Sequence, residues 1–479
     1  VCKQYKGFIL IILDEIAQNI ESFFALLEKK LPVSIFIGNS YVIESYDESW
    51  QELEDFEIKQ NLPLLTNDAI KNIIEENHID FLNDIIKITK GGVSKFETHN
   101  GSKDYFLPNK TIREEFENKG FEVKLLITDM SKVEEIFDIN VKDFQLLCSI
   151  ERPLVKIKFK MLKNANKEFS STSYIYAKIP DDKETVLFAK ALKENGINFV
   201  LYVNDEVYQD GLKITYIKDE NLIISGDKGL FPKYDFVANK KYNSSKEYFD
   251  DNGGVYKAIL AQTSKRIIST IGVYFSQNNS NSSISINIPT KGLKQIITIA
   301  NIHNNIKNCF EEIADIDEHC ARLISNYSKK FPFVLEGEVP QNTNGFESII
   351  NMCAKVLGIN SSKEFEDMAL NTSMTSGIQI DMKLVNIDGV NYLDYRRIVQ
   401  SIMAYKMADV DNITLVYSFY ESISEFICNY VNEIAKETKA KDIVLCGNMF
   451  ANSIIFSKTN KTLSKSYNII LPKEYALDY

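Results

Sequence analysis

The stretch Ile443-Val444-Leu445-Cys446-Gly447-Asn448-Met449-Phe450-Ala451-Asn452 carries the most informative chemistry in the chain. An apolar run that ends in glycine and opens a helix aims backbone N–H groups at the space before the helix, which suits phosphate or another anion. Gly447, Asn448 and Asn452 are therefore candidates for shaping a nucleotide pocket, with a packed strand–helix junction as the alternative. Lys90-Gly91-Gly92 is a second candidate phosphate turn, and a simple turn is its alternative. Metal chemistry has fewer candidates. The four histidines are His78, His99, His303 and His319, and none are three or four apart, so a two-histidine ligand pair on one helix face is absent. His303 and His319 could still meet in space. Arg396-Arg397, after Asp394-Tyr395, could hold an anion, although adjacent side chains on a helix diverge. No Gly-x-Ser-x-Gly elbow, Walker loop or His-Glu-x-x-His occurs.

These residues need elements to position them. The sequence predicts a strand from Ile443, a helix after Gly447 and a second strand over Tyr467–Leu471, before Pro472. Upstream, Phe419, Ile423, Phe426, Ile427, Tyr430, Val431 and Ile434 recur at three and four residues, the stripe of a helix with one buried face. Thr111 with Glu114, Ser131 with Glu134 and Ser418 with Glu421 have capping-box spacing, so helices are expected to start there. Strands are expected at Leu154–Phe159, Phe199–Val203, Ile271–Phe275 and Ser283–Ile288, with polar loops at Asn243–Gly254 and Ser276–Ser283. No internal repeat is visible.

Bulk properties narrow the class. A chain of 479 residues is expected to hold two to four domains, since single cores rarely exceed about 250–300 residues. Hydrophobic residues at 44% and charged residues at 25% are those of a soluble globular protein. The apolar run Phe8–Leu13 is too short to span a bilayer and is followed by Asp14-Glu15, so no membrane insertion is expected. A net charge of −11 and a pI near 5.2 disfavour a nucleic-acid partner, which would call for clustered Lys and Arg. The seven cysteines are scattered without a Cys-x-x-Cys, which fits reduced thiols in a cytoplasmic protein.

The segment Tyr417–Pro472 resembles the C-terminal lobe of the HypF family, the carbamoyltransferases of nickel–iron hydrogenase maturation, and of the related tRNA threonylcarbamoyladenosine synthases. In that family a helix leads to a strand, a Ser-Gly-Gly-Val turn, a Phe-x-Asn and a proline-containing strand. Here the turn is Cys446-Gly447-Asn448-Met449, with Asn448 in place of the second glycine. Two further stretches follow the family's order. Lys124–Asp129 and Cys148-Ser149-Ile150-Glu151-Arg152-Pro153-Leu154-Val155 look like its YrdC-type domain. Gly345–Ile350, Val356–Ile359 and Glu364–Ala369 look like the helices before its closing lobe.

The resemblance implies a mixed α/β (α+β) chain in which a YrdC-like domain precedes an actin/hexokinase-like (ASKHA) carbamoyltransferase lobe. The expected divisions are residues 1–110, a divergent N-terminal region, 111–245, the YrdC-like domain, and 255–479, the carbamoyltransferase-like lobe. The family's phosphate-meeting lysine falls at about Phe121, and its adenylate-holding Ser-Gly-Asn turn at Val203-Asn204-Asp205. An aromatic ring and a valine supply neither cation nor hydroxyl, so reduced activity is expected. The family's metal site uses two histidines and an Asp after the last strand, which implies His303, His319 and Asp478; a solvated terminal residue is the alternative for Asp478. The implied role is an accessory protein of [NiFe]-hydrogenase maturation with a degenerate site, binding a hydrogenase subunit or a maturation protein. The alternative is an active carbamoyltransferase using ATP and magnesium to make the cyanide-ligand precursor. No other cofactor is expected.

Overall fold

The computed structural model describes residues 2–5, 8–13, 17–37, 43, 65–160, 166–204, 210–226, 269–278, 281–288, 291–299, 305–336, 345–472 and 476–478. The chain divides into two compact units. One holds residues 1–157, 176–212 and 227–232; the other holds 158–175, 213–226 and 233–479. The expected loop Asn243–Gly254 lies outside the described residues.

The chain opens with a hairpin, β1 (Cys2–Tyr5) and β2 (Phe8–Ile11), then helices α1 (Ala17–Lys30), α2 (Asn67–Glu76) and α3 (Leu82–Thr89). Strands β3 (Ser94–Thr98) and β4 (Gly101–Phe106), helix α4 (Lys110–Asn118) and β5 (Lys124–Ile127) follow. Then come α5 (Val133–Ile136), β6 (Phe137–Asp138), α6 (Val141–Leu147), β7 (Leu154–Phe159), α7 (Asn166–Phe169), β8 (Tyr174–Lys178), α8 (Lys183–Glu194) and β9 (Phe199–Asn204). In the N-terminal unit the strand order runs β7-β8-β5-β9-β4-β3. β5 lies parallel to β8 and antiparallel to β9, which is antiparallel to β4. Alternation along each strand sends one set of side chains to each face. Leu126, Val200 and Tyr202 share a core with Ile85 and Ile88 of α3 and with Leu187, Phe188 and Leu192 of α8.

In the C-terminal unit β10 (Lys213–Ile217) and β11 (Glu220–Ser225) form a hairpin. Three antiparallel strands, β12 (Thr270–Tyr274), β13 (Ser283–Ile288) and β14 (Gly292–Ile299), precede helices α9 (Ile306–Ala314), α10 (Glu318–Lys330), α11 (Phe346–Leu357) and α12 (Ser362–Leu370). A hairpin of β15 (Leu384–Ile387) and β16 (Val390–Leu393) leads to α13 (Tyr395–Met407) and α14 (Asn412–Thr438). The described chain closes with β17 (Asp442–Cys446), α15 (Ser453–Leu463) and β18 (Asn468–Ile470). The sheet order is β15-β16-β14-β13-β12-β17-β18, with β12, β17 and β18 mutually parallel. The stripe predicted on α14 is buried except for Tyr430, which is half-buried.

The predicted helix starts are displaced for one physical reason. Short Asx side chains upstream take the capping position. Asn109 caps α4 before Thr111, Asp129 caps the short 3-10 turn that contains Ser131, and Asp411 caps α14, leaving Ser418 inside it.

Candidate functional site

Gly447, Asn448 and Asp478 meet at the C-terminal ends of β12 and β17, with Asn452 one short turn away. Gly447 takes φ +96°, and a Cβ added there would lie 2.0 Å from the Phe275 carbonyl oxygen. Its N–H donates to Leu477 O at 2.6 Å, and the Met449 N–H donates to Phe275 O at 3.1 Å. Glycine is thus required by the backbone just beyond β12. Asn448 opens a 3-10 turn, and its Oδ1 accepts from the Gln277 N–H at 2.7 Å. Its side chain therefore fastens the segment after β12 to the turn. Asn452 is buried and caps α15, accepting from the Ile454 and Ile455 N–H groups while donating to Glu366 Oε1 on α12 at 3.0 Å. Asp478 accepts from the hydroxyls of Tyr274 and Ser276. Burial, with the Asp478 charge nearby, raises the Cys446 thiol far above its ordinary range.

The partners of these groups test what the site can hold. Two N–H groups of the turn, those of Gly447 and Met449, are directed at the Leu477 and Phe275 carbonyls rather than outward toward a phosphate. His319 is exposed in the first turn of α10, its Nδ1 3.0 Å from Arg322 Nη2. His303 lies outside the described residues. Among the described residues no group of three or more His, Cys, Asp or Glu side chains could hold a metal ion. Arg396 reaches back to the Asp394 carboxylate at 2.8 and 3.0 Å, and Arg397 donates to Gln400 at 2.9 Å. The Lys90-Gly91-Gly92 turn ends α3, with its three N–H groups paired to Ile86, Ile88 and Lys87 carbonyls.

Replacing Asn452 with alanine removes the cap of α15 and leaves Glu366 without that donor. The expected loss is about 1–2 kcal/mol of stability, read as a lower denaturant midpoint; an unchanged midpoint would show that the cap contributes nothing.

The N-terminal unit holds a charge cluster that sequence reasoning missed. Lys103 on β4, Lys124 on β5 and Lys178 on β8 converge on Asp210, whose side chain is 0% exposed. Asp210 Oδ1 lies 3.2 Å from both Lys103 and Lys178, and Oδ2 lies 3.7 Å from Lys124. Tyr202 on β9 donates its hydroxyl to Asp210 Oδ2. Asp181, just before α8, pairs with Lys178 and lies 3.8 Å from Lys103. Lys124 also donates to Asn204 Oδ1 at 2.6 Å, so the asparagine matched to the adenylate turn is tied to a lysine three residues beyond Phe121. Burial favours the neutral acid at Asp210, but Lys103, Lys178 and Lys124 outweigh it and hold the carboxyl well below the ordinary range. Lys103 moves the opposite way: burial lowers it, and Asp181 and Asp210 more than reverse this. The signal was present in the sequence as lysines at inward positions of apolar strands, such as Lys124 in register with Leu126.

Comparison with known proteins places this geometry. Residues 342–477 match the family described as carbamoyltransferase, Kae1-like domain, second subdomain. Protein HydE of Wolinella succinogenes is 23% identical over 184 residues, 36% of this chain and 33% of that protein. The chain thus spans about a third of the length of that curated relative. The crystal structure of T. kodakarensis HypF has a TM-score of 0.65 at 10% identity, covering 97% of this chain and 90% of that one. Full-length HypF in its phosphate- and nucleotide-bound form has a TM-score of 0.58 at 12% identity, covering 84% and 85%. The chain has a mixed α/β fold similar to HypF, and its C-terminal segment resembles a carbamoyltransferase subdomain.

Proposed function

We propose that this chain, HypF-like in fold, is an accessory protein of [NiFe]-hydrogenase maturation that acts by binding a hydrogenase subunit or another maturation protein. Its likeness to HypF structures and to HydE supports the maturation setting. The observation that carries the non-catalytic part is the closed turn: Gly447 and Met449 donate within the lobe, and Asn448 stands where the resembling family has its second glycine. Oxyanion stabilisation in group transfer depends on donors preorganised toward the ligand. A net charge of −11 suits a protein partner better than a nucleic acid. No helix among the described residues is long and apolar enough to cross a membrane. On this reading Gly447, Asn448 and Asn452 form a vestigial nucleotide turn.

Isothermal titration with Mg-ATP, with and without carbamoyl phosphate, is expected to give no saturable heat at millimolar ligand, while hydrogenase subunits or maturation proteins co-purify with the chain. A defined stoichiometry for Mg-ATP would overturn the non-catalytic reading and favour an active ATP-dependent carbamoyltransferase.

A further inference from the structure

Four neighbouring strands place one polar row on a single face of the N-terminal sheet. Lys124 is paired with Tyr202, Tyr202 with Tyr105, Asn204 with Lys103, and Leu126 with Lys178. Pleating therefore puts Lys178, Lys124, Tyr202, Tyr105 and Lys103 on the face that α8 covers. Lys103 and Lys178 are 2% and 1% exposed, and the Tyr105 hydroxyl, also buried, has no hydrogen-bond partner among the described residues. Three ammonium groups and the Tyr202 phenol directed at one point form the donor set that a multivalent oxyanion requires. What occupies that point is the Asp210 carboxylate, delivered by the residue before Gly211, which takes φ +81°.

Stability alone gives weak grounds for this arrangement. Buried ion clusters seldom outperform apolar residues of the same volume, whereas removing one member leaves uncompensated charge. We infer that Asp210 is a built-in occupant of an oxyanion site, its carboxylate standing where a phosphate-like anion would bind and closing the site to free anions. Asp181, just before α8, neutralises part of the lysine charge and would remain when Asp210 is removed. The closure concerns the N-terminal unit alone and does not depend on whether the Gly447 turn takes a nucleotide.

The test removes the carboxylate and supplies an anion. Asp210→Ala is expected to melt below the natural chain, and 10 mM inorganic phosphate is expected to raise its melting temperature by about 3 °C or more over sodium chloride of equal ionic strength. The natural chain should show no such rise, and adding Lys103→Met to Asp210→Ala should abolish it. Asp210→Ser, which leaves a smaller gap, serves if the alanine variant does not fold in buffer alone. Phosphate stabilisation of the natural chain would overturn the closure. Folded variants indifferent to phosphate, or failure of both to fold with phosphate present, would overturn the anion site.

Discussion

Gly447→Ala is expected to collapse the junction between β12, β17 and α15. Two independent penalties meet at this residue. A left-handed φ of +96° is unfavourable for any residue with a Cβ, and that Cβ would fall 2.0 Å from Phe275 O and 2.3 Å from Phe275 C. The crowding atoms are backbone, so no rotamer change relieves them. Moving Phe275 would also break its N–H bond to Cys446 O, at 3.0 Å, and the bond it accepts from Met449. Overpacking and strain of this kind add to on the order of 4 kcal/mol or more, a fall of about 8 °C or greater in the melting of the C-terminal unit. Gly389→Ala is the matched control. That residue takes φ +84° in the β15–β16 turn with nothing within 4 Å of an added Cβ, so only the conformational penalty of about 1 kcal/mol applies. Equal melting temperatures for the two variants would show that close packing on Phe275 is not what Gly447 serves.

This glycine also marks how far the sequence could be read. The strand–turn–helix order around it, the stripe of α14 and the strands Leu154–Phe159 and Ser283–Ile288 were legible because apolar periodicity is local. The reason for the glycine was not. Sequence pattern assigns such a residue to close approach or positive φ, but only the β12–β17 pairing shows that the neighbour is Phe275. Asn448 was read as a replacement for the second glycine of the turn, and the added fact is its bond to Gln277, a partner 171 positions away. Asp478 looked like a terminal residue free to be solvated, and its hydroxyl partners Tyr274 and Ser276 are about two hundred positions upstream. The convergence of the lysines was hidden for the same reason: Lys103, Lys124, Lys178 and Asp210 become neighbours only when four strands align.

Lys178→Met should be among the most damaging single changes in the N-terminal unit, and its pH profile should reveal why. The ammonium is 1% exposed, pairs with Asp181, and lies 3.2 Å from Asp210 Oδ1 and 3.3 Å from the Asp210 carbonyl. Methionine preserves most of the volume, so the loss is electrostatic: two buried carboxylates then share Lys103 and Lys124. Breaking a buried pair from one side costs about 3–5 kcal/mol. Burial by itself would raise Asp181 and Asp210, yet both sit below their ordinary values because Lys103 and Lys178 prevail. A carboxyl depressed by folding contributes stability that is present above its unfolded value, about 4, and is lost as the pH falls through the folded one. The natural chain should therefore keep its urea midpoint from pH 7 to about pH 4 and lose it only in stronger acid. In Lys178→Met the carboxyls rise, so the decline should begin at higher pH, and Lys178→Met with Asp181→Asn should recover part of the loss because the two groups couple. If the single variant lost stability equally at every pH, its methylenes rather than its charge would be responsible, and the cluster would be packing and not an electrostatic lock.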